Sequence, residues 1–418
     1  MKLLHAADLH IDSPLRGLSG YEGAPATRIR DAARHAVVNL VDLALAEAVD
    51  AVLLAGDIYD GDWKDYHTGL FFAVQMRRLA EADIPVLLVA GNHDADSRIT
   101  RELRLPANVH RFSTARPETV AFEGLGLAVH GQGFAVRDVT DNLALSYPAP
   151  RGGMFNVGLL HTALTGAEGH ANYAPCSVGD LVSRGYDYWA LGHVHTREVV
   201  HEAEPWIVFP GNVQGRHARE TGPKGATLIT VDGDRGRAVI EHRDLDVVRW
   251  ARLEVDATGA SGVEDVLDSV RRHLAEERAA AGDRLLATRV RIVGASDAHE
   301  ALWRDERRFV FETRALAAEF SGVWLEKVRL ETRHRDLGDA GVELPTLVED
   351  LARTARMLRA DPTALEQLVR AVPGLRTLDP KVAEEGIAPA DPTWRADIFD
   401  QAVDLLTALV TGTDGESG

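Results

Sequence analysis

Residues 50–60 read DAVLLAGDIYD. The apolar residues 51–55 run into Gly56, and the carboxylates of Asp57 and Asp60 follow. A short continuous apolar run closed by glycine fits a strand buried on both faces, ending in a turn that carries polar side chains. The same design stands on either side of it. Residues 2–7 form an apolar run before Asp8 and His10, and residues 84–94, IPVLLVAGNHD, end in Gly91, Asn92, His93 and Asp94. Between these strands lie two stretches of helical periodicity, 28–48 and 66–82. In the first, Ile29, Ala33, Val37, Leu40, Val41 and Leu45 recur near helical spacing. Strands alternating with helices at this spacing predict an α/β domain.

From about residue 109 the helical pattern thins. Short strands are predicted at 127–130, 156–160, 188–191, 206–209, 226–231 and 238–242, which gives two packed sheets flanked by helices. After about residue 250 the pattern restarts. A strand at 252–255, a helix over 263–281 and strands near 286–293 and 324–332 predict a small β-α-β domain. From 344 the chain reads as helical, with breaks at Pro362, Pro373 and 388–392, and TGTDGESG at 411–418 reads as a disordered tail.

Composition narrows the class. At 45% hydrophobic and 26% charged over 418 residues, the chain reads as an ordinary soluble globular protein. No apolar run approaches the roughly 18 residues that span a bilayer. The start, MKLLHAADLH, lacks the pattern of a signal peptide. A single cysteine, Cys176, excludes an internal disulfide framework and fits a reducing cytoplasm. The net charge of -18 argues against a globally basic nucleic-acid binder. It leaves room for a local cationic site, because bound metal ions are not in that count.

Five stretches place candidate ligands at strand ends: ADLH (7–10), GDIYD (56–60), GNHD (91–94), LLHT (159–162) and GHVH (192–195). In open α/β sheets ligands gather beyond the carboxyl ends of the strands. Residues two apart on extended backbone project to one side, so Asp8 with His10, and His193 with His195, are each expected to aim two ligands at one point. The donors are nitrogen and oxygen without thiolate, a set that suits Mn, Fe, Zn or Co. Their number suits two ions bridged by Asp57, and two divalent ions about 3.5–4 Å apart can clamp a phosphate and generate hydroxide. His161 is preferred to His130, which also ends an apolar run, because the His161 strand and the GHVH strand bracket one compact segment. The other reading of His130 is a satisfied core or turn histidine. Arg16, Arg216 and Lys224 lie near the motifs and are candidates for phosphate contact, while His170 and Tyr173, in GHANYAP, are candidates for the mouth of the site. A stripe of Arg271, Arg272, Arg289, Arg291, Arg307, Arg308, Arg329, Arg333 and Arg335, interleaved with acidic residues, is a candidate phosphate-contacting surface.

These motifs resemble those of the calcineurin-like metallophosphoesterase superfamily, over roughly residues 1–245. HAADLHIDSPLRGL (5–18), GDIYDGD (56–62), the segment from His161 to His195 and FPGNVQGRHARETGPKGATLI (209–229) are similar to its DNA repair exonuclease branch, the SbcD type. Within that branch they look most like the YhaO-like subgroup. The resemblance implies a four-layer α-β-β-α sandwich over 1–245, a small β-α-β capping domain over 250–335 that contacts DNA, and a helical region over 340–410. It implies that Asp8, His10, Asp57 and His195 hold one divalent ion and that Asp57, Asn92, His161 and His193 hold a second, with manganese expected. His93 would face the substrate and stabilise or protonate the leaving oxygen, with Asp60 orienting it; some double-strand-break members carry a histidine where Asp60 stands. The implied activity is that of a cytoplasmic, metal-dependent DNA nuclease in repair, working with a coiled-coil ATPase partner of the SbcC type, and a homodimer is a further implied assembly. Two other readings stand beside it: a phosphoesterase for small substrates, which needs no cap, and a non-catalytic scaffold for DNA or the ATPase, which would not need every ligand kept.

Overall fold

The three apolar runs at the start of the chain are the strands β1 (Lys2–Ala6), β2 (Ala51–Leu54) and β3 (Val86–Leu88), and each sends alternate side chains to opposite faces. Leu4, Val52, Leu54, Val86 and Leu88 pack with Val37, Leu40 and Val41 of helix α1 (Ala26–Ala46) and with Phe72 and Met76 of α2 (Tyr66–Ala80). Leu3, Ala51, Leu53 and Leu87 instead pack with Leu127, Val129, Val157, Leu159, Tyr188 and Val208 of a second sheet. Burial on both faces is therefore why these strands read as unbroken apolar runs.

A computed structural model of the chain describes residues 1–14, 25–60, 66–95, 103–164, 173–232, 237–334, 344–372 and 391–411. Further strands are β4 (Val109–Arg111), β5 (Glu118–Phe122), β6 (Leu127–Gly131), β7 (Phe155–His161), β8 (Tyr188–Gly192), β9 (Glu198–His201), β10 (Trp206–Phe209), β11 (Gly225–Val231) and β12 (Ala238–Asp244). The first sheet has the order β12-β11-β1-β2-β3-β4, parallel from β1 to β4 and antiparallel where β11 joins. The second has the order β5-β6-β7-β8-β10-β9, parallel from β6 to β10 with antiparallel edges. Its outer face, with Leu160, Trp189, Leu191, Ile207 and Phe209, is covered by Tyr147, Leu181 and Tyr186. Helix α3 (Val178–Val182) and a 3-10 turn at Leu143–Ser146 form this outermost layer, so the fourth layer of the α-β-β-α sandwich is thin among the described residues.

Sequence reading passes over β4, β5 and β9. All three are at or near sheet edges, short, and partly exposed, so no apolar run marks them. The third sheet is β13 (Val248–Asp256), β14 (Leu285–Ser296) and β15 (Val323–His334), in that order, with β13 parallel to β14. Three helices accompany it where one was predicted: α4 (Val263–Ala281), α5 (Glu306–Ala318) and a short one at His299–Arg304. The second was legible, because Phe309, Thr313, Leu316 and Ala317 are buried at helical spacing. Strand β13 also starts earlier than predicted. Its Val248 and Trp250 pack with Leu285, Trp324, Ile29 and Ala218 in one cluster that joins this sheet to the sandwich.

The chain divides into two compact units, residues 1–294 with 300–332, and residues 295–299 with 333–418. The second contains helices α6 (Leu344–Arg359), α7 (Pro362–Ala371) and α8 (Pro392–Thr411). The expected break at Pro362 is a helix start: Asp361 caps the N–H groups of Thr363 and Ala364, and proline occupies the first turn. The tail expected to be disordered lies outside the described residues, apart from Thr411. No helix of the described residues is long and apolar enough to cross a membrane.

At the strand ends the sheets leave no room for side chains. A Cβ on Gly192 would collide with the carbonyl oxygen of Ala55 and stand 3.0 Å from His161 Nδ1. Neither neighbour is the end of a flexible chain. Gly192→Ala is expected to lower stability by about 1–3 kcal/mol through overpacking, read as a drop in melting temperature. Gly124→Ala, with nothing within 4 Å of the new carbon, is the matched control and is expected to melt with the parent.

Candidate metal centre

The turns after β1 and β2 run on side by side beyond the sheet. Asp8 N–H donates to Gly56 O at 3.0 Å, His10 N–H to Asp57 O at 3.1 Å and Ile11 N–H to Ile58 O at 3.0 Å. Asp94 ties the turn after β3 to them, accepting from the N–H groups of Ile58 (3.1 Å), Tyr59 (3.1 Å) and Gly91 (3.0 Å). Asp94 stands in GNHD among the candidate ligands, yet its carboxylate is taken by these backbone donors. The backbone itself departs from the expected geometry. Asp8, His10 and Asp57 adopt left-handed φ angles of 53°, 42° and 52°, and His193 one of 107°. Side-chain alternation on extended strands therefore does not organise the site. Asp8 and His10 converge through a left-handed turn, whereas His193 and His195 point to different neighbours. Each such residue costs roughly 1–3 kcal/mol and persists where its surroundings over-determine it.

Asp57 stands between two sets of candidate ligands. Its Oδ2 lies 3.7 Å from His10 Nε2 and 3.6 Å from His161 Nε2, and its Oδ1 accepts the His93 N–H at 3.0 Å. On one side, donor atoms of Asp8, His10 and His195 converge within 4.8 Å, with His10 Nε2 and His195 Nε2 3.1 Å apart. On the other, His161 Nε2 stands 3.0 Å from Asn92 Oδ1, and the ring of His193 packs edge-on against that of His161 at 5.3 Å. Asp8 also receives the His193 N–H, at 3.0 Å to Oδ2, which ties the GHVH turn to the first strand.

The protonation pattern tests whether cations fit. His161 Nδ1 lies 2.8 Å from Ala55 O, and a carbonyl only accepts, so Nδ1 carries the proton and Nε2 presents a lone pair to Asn92 and Asp57. His195 Nδ1 lies 2.7 Å from Glu220 Oε1, and by the same reasoning its Nε2 lone pair faces His10 Nε2. His10 Nδ1 is buried without a hydrogen-bond partner. Facing lone pairs of nitrogen and oxygen, without thiolate, fit a divalent transition ion. Electrostatics agree. Burial pushes His161 down to about 3 and His10 well below its ordinary value, so both are neutral, as ligands must be. Burial pushes Asp57 up to about 6; Asp8 lies well above the carboxylate range through burial and then the Asp57 charge. These buried carboxylates resist ionising until a cation compensates them.

His93 lies beside this cluster and is 29% exposed. Its Nδ1 donates to Asp60 Oδ1 at 2.8 Å, and this hydrogen bond raises its pKa. Burial alone would raise Asp60, but hydrogen bonds from His93 and Ser13 outweigh it and hold the carboxyl at about 2. Arg216 Nη1 stands 3.7 Å from Asp60, and its Nη2 donates to Glu220 at 3.3 Å. The exposed Arg137 adds positive field at His93.

The remaining sequence candidates fall in different places. Lys224 is buried, and its ammonium donates to His195 O at 2.8 Å. Its cation therefore supports the GHVH turn instead of meeting a phosphate. Tyr173 packs edge-on against His193 at 5.3 Å. Arg16 and His170 lie outside the described residues. His130 is excluded from the cluster: its nitrogens meet Thr119 Oγ1 (2.8 Å) and Asn156 Oδ1 (3.1 Å), and its ring stacks on Tyr186. Four arginines of the stripe are neutralised within the chain, and Arg335 lies outside the described residues. Arg289 pairs with Glu326 and Arg308 with Glu312, both at 2.7 Å, Arg291 with Glu254 and Glu331, and Arg271 with Glu319. Sequence reading passes over Glu220 and Ser13, which lie outside any apolar run and act on other side chains.

Comparison with known proteins agrees with this geometry. Residues 1–197 match the calcineurin-like phosphoesterase family, and residues 250–333 match the middle domain of metallophosphoesterase YhaO. The "Uncharacterized metallophosphoesterase YhaO" of Bacillus subtilis is 38% identical over 282 residues, covering 65% of this chain and 69% of that protein. The "DNA double-strand break repair protein Mre11" of Haloferax volcanii is 26% identical over 275 residues, 65% of this chain and 58% of that protein. The SbcD chain of the SbcCD nuclease of Rhodobacter capsulatus is 34% identical over 102 residues, 24% of this chain and 23% of that protein. With nitrogen and oxygen donors gathered around Asp57 and a YhaO-type domain behind them, this chain belongs to the calcineurin-like metallophosphoesterases, phosphoester hydrolases homologous to the Mre11 and SbcD nucleases.

Proposed function

We propose that this chain is a metal-dependent nuclease that hydrolyses DNA phosphodiesters, with manganese as the working ion. The observation that carries the reading is Asp57 Oδ2, 3.7 Å from His10 Nε2 and 3.6 Å from His161 Nε2, which sets one carboxylate between the two groups of residues that would hold the ions. Asp8, His10, Asp57 and His195 would hold one ion, and Asp57, Asn92, His161 and His193 the other. When bound, two such ions supply Lewis acidity toward the phosphate and an attacking water activated at neutral pH.

The chain's own residues complete the chemistry. Asp60 accepts from His93 Nδ1 and keeps the imidazolium favoured, which leaves Nε2–H as the donor for the leaving oxygen. Asp60 also draws in Ser13 and stands near Arg216, which would face a phosphate oxygen. DNA as substrate rests on the names of the Mre11 and SbcD relatives. One observation favours a small phosphodiester as the second reading: Arg271, Arg289, Arg291 and Arg308 of the cap are paired with acids of this chain. We assign the helical unit, where Met357 is 71% and Leu368 42% exposed, to a coiled-coil ATPase partner of the SbcC type.

The test is digestion of end-labelled duplex and single-stranded DNA by manganese-loaded protein, with an aryl phosphodiester alongside. DNA cleavage abolished by chelator is expected, and cleavage of the aryl ester alone would move the assignment to the small-substrate reading. His93→Ala is expected to keep its manganese and lose about 10²–10⁴-fold in turnover. Full turnover in that variant would remove His93 from the mechanism.

Metal binding should depend on pH with a definite sign. Histidine ligands His10 and His161 are already neutral, so the protons that compete include those on Asp8 and Asp57. Their folded values are raised, with Asp57 at about 6. Above that pH the ion meets an ionised Asp57. Below it, each proton must be displaced, and affinity should fall on the order of tenfold per pH unit per proton. Manganese titrations from pH 7.5 down to 5 check this, and a flat profile would contradict it.

A further inference from the structure

We propose that Glu220 is a positioning residue that decides which nitrogen of His195 faces the ion; the inference rests on the two-ion reading above. Glu220 stands between β10 and β11, is 8% exposed, and gives each carboxylate oxygen two donors. Oε2 accepts from the Arg216 N–H at 2.7 Å and from Asn212 Nδ2 at 3.0 Å. Oε1 accepts from His195 Nδ1 at 2.7 Å and from Arg216 Nη2 at 3.3 Å. The oxygens thus divide the work: Oε2 folds its own loop, and Oε1 fixes the imidazole. Arg216 Nη2 also stands 3.2 Å from His195 Nδ1, but its proton has Oε1 as acceptor, and Oε1 is the nearer partner of Nδ1 at 2.7 Å; a carboxylate oxygen cannot donate, so the His195 proton stays on Nδ1 and the Nε2 lone pair on the ion side. Without that acceptor, the proton can occupy Nε2, where it blocks ligation.

The loop cannot follow the imidazole if it turns. Gln214 Oε1 accepts the Val247 N–H at 2.9 Å, Trp250 Nε1 donates to Gly215 O at 3.0 Å, and Arg252 Nε donates to Ala218 O at 2.7 Å. Lys224 holds the His195 carbonyl from the other direction.

Glu220→Gln separates the two tasks. The Arg216 N–H and Asn212 still require an acceptor, so the amide oxygen takes the Oε2 position and the NH₂ group faces His195. Nδ1 must then accept, and Nε2 carries the proton. Calorimetric titration of the metal-free chain with manganese is the first measurement. The parent is expected to bind about two equivalents, and Glu220→Gln to hold one of them about 10–100-fold more weakly with the other unchanged. Long-range ¹H–¹⁵N spectra of the metal-free proteins are the second. They should place the His195 proton on Nδ1 in the parent and on Nε2 in the variant, a change that a merely structural role would not produce. Unchanged affinity for both ions, or a variant that loses both along with its cooperative melting transition, would overturn the proposal. A parent chain that binds no manganese would defeat the two-ion reading instead, and the spectra would still decide the role of Glu220.

Discussion

Everything in the sandwich's active end follows from one electrostatic problem: two carboxylates, Asp8 and Asp57, held 1–2% exposed among imidazoles. Burial drives both toward the protonated state, and each disfavours the other's charge. An apolar repacking would have removed the problem. The fold instead adds nitrogen and oxygen lone pairs from His10, Asn92 and His161, none of which supplies positive charge at neutral pH. A site that concentrates donors here while its own cations, His93 and Arg216, are paired with Asp60 and Glu220 fits a cation from outside, which would let a chain of net charge -18 attract phosphate locally.

Holding those donors requires backbone that strands cannot provide. Left-handed residues at Asp8, His10, Asp57 and His193 bend the chain at the carboxyl ends of β1, β2 and β8. Their strain is offset by cross-loop hydrogen bonds and by Asp94, which gathers three N–H groups from two loops. The close approach of Gly192 to Ala55 O then presses the two sheets together where the ligands emerge. The strained turns and the tight glycines are thus one device: the first aim the ligands, and the second bring ligands from different sheets within reach of each other.

How far the sequence could be read depends on whether a residue's role leaves a pattern in its own neighbourhood. The ligand candidates were legible because each ends an apolar run, and the structure brings those stretches together. The choice between His161 and His130 turned on topology, since both end buried strands; Thr119 and Asn156 satisfy His130, and those partners come from elsewhere in the chain. His5 is also imidazole on a core strand, yet Tyr188 and the Leu191 carbonyl occupy both of its nitrogens. The expected aiming by extended backbone was wrong in mechanism, because left-handed φ angles cannot be inferred for Asp and His from pattern alone. Helix α5 shows the opposite case, a helical stripe that was present and passed over.

The least legible segment, residues 210–222, links the most. It has no apolar period, and its contacts are polar and long in range. From it Glu220 reaches His195 and Arg216 reaches Asp60, while Gln214, Gly215 and Ala218 bind the first strand of the third sheet. That strand therefore reaches the ligands through backbone and side-chain hydrogen bonds, without contributing a ligand itself. A shift of β13 against the sandwich would have to strain this loop, and the group most directly strained would be the carboxylate that orients His195. The same coupling links the third sheet to the candidate metal centre: Trp250 and Ala218 seat it against the loop whose Glu220 accepts from His195 Nδ1.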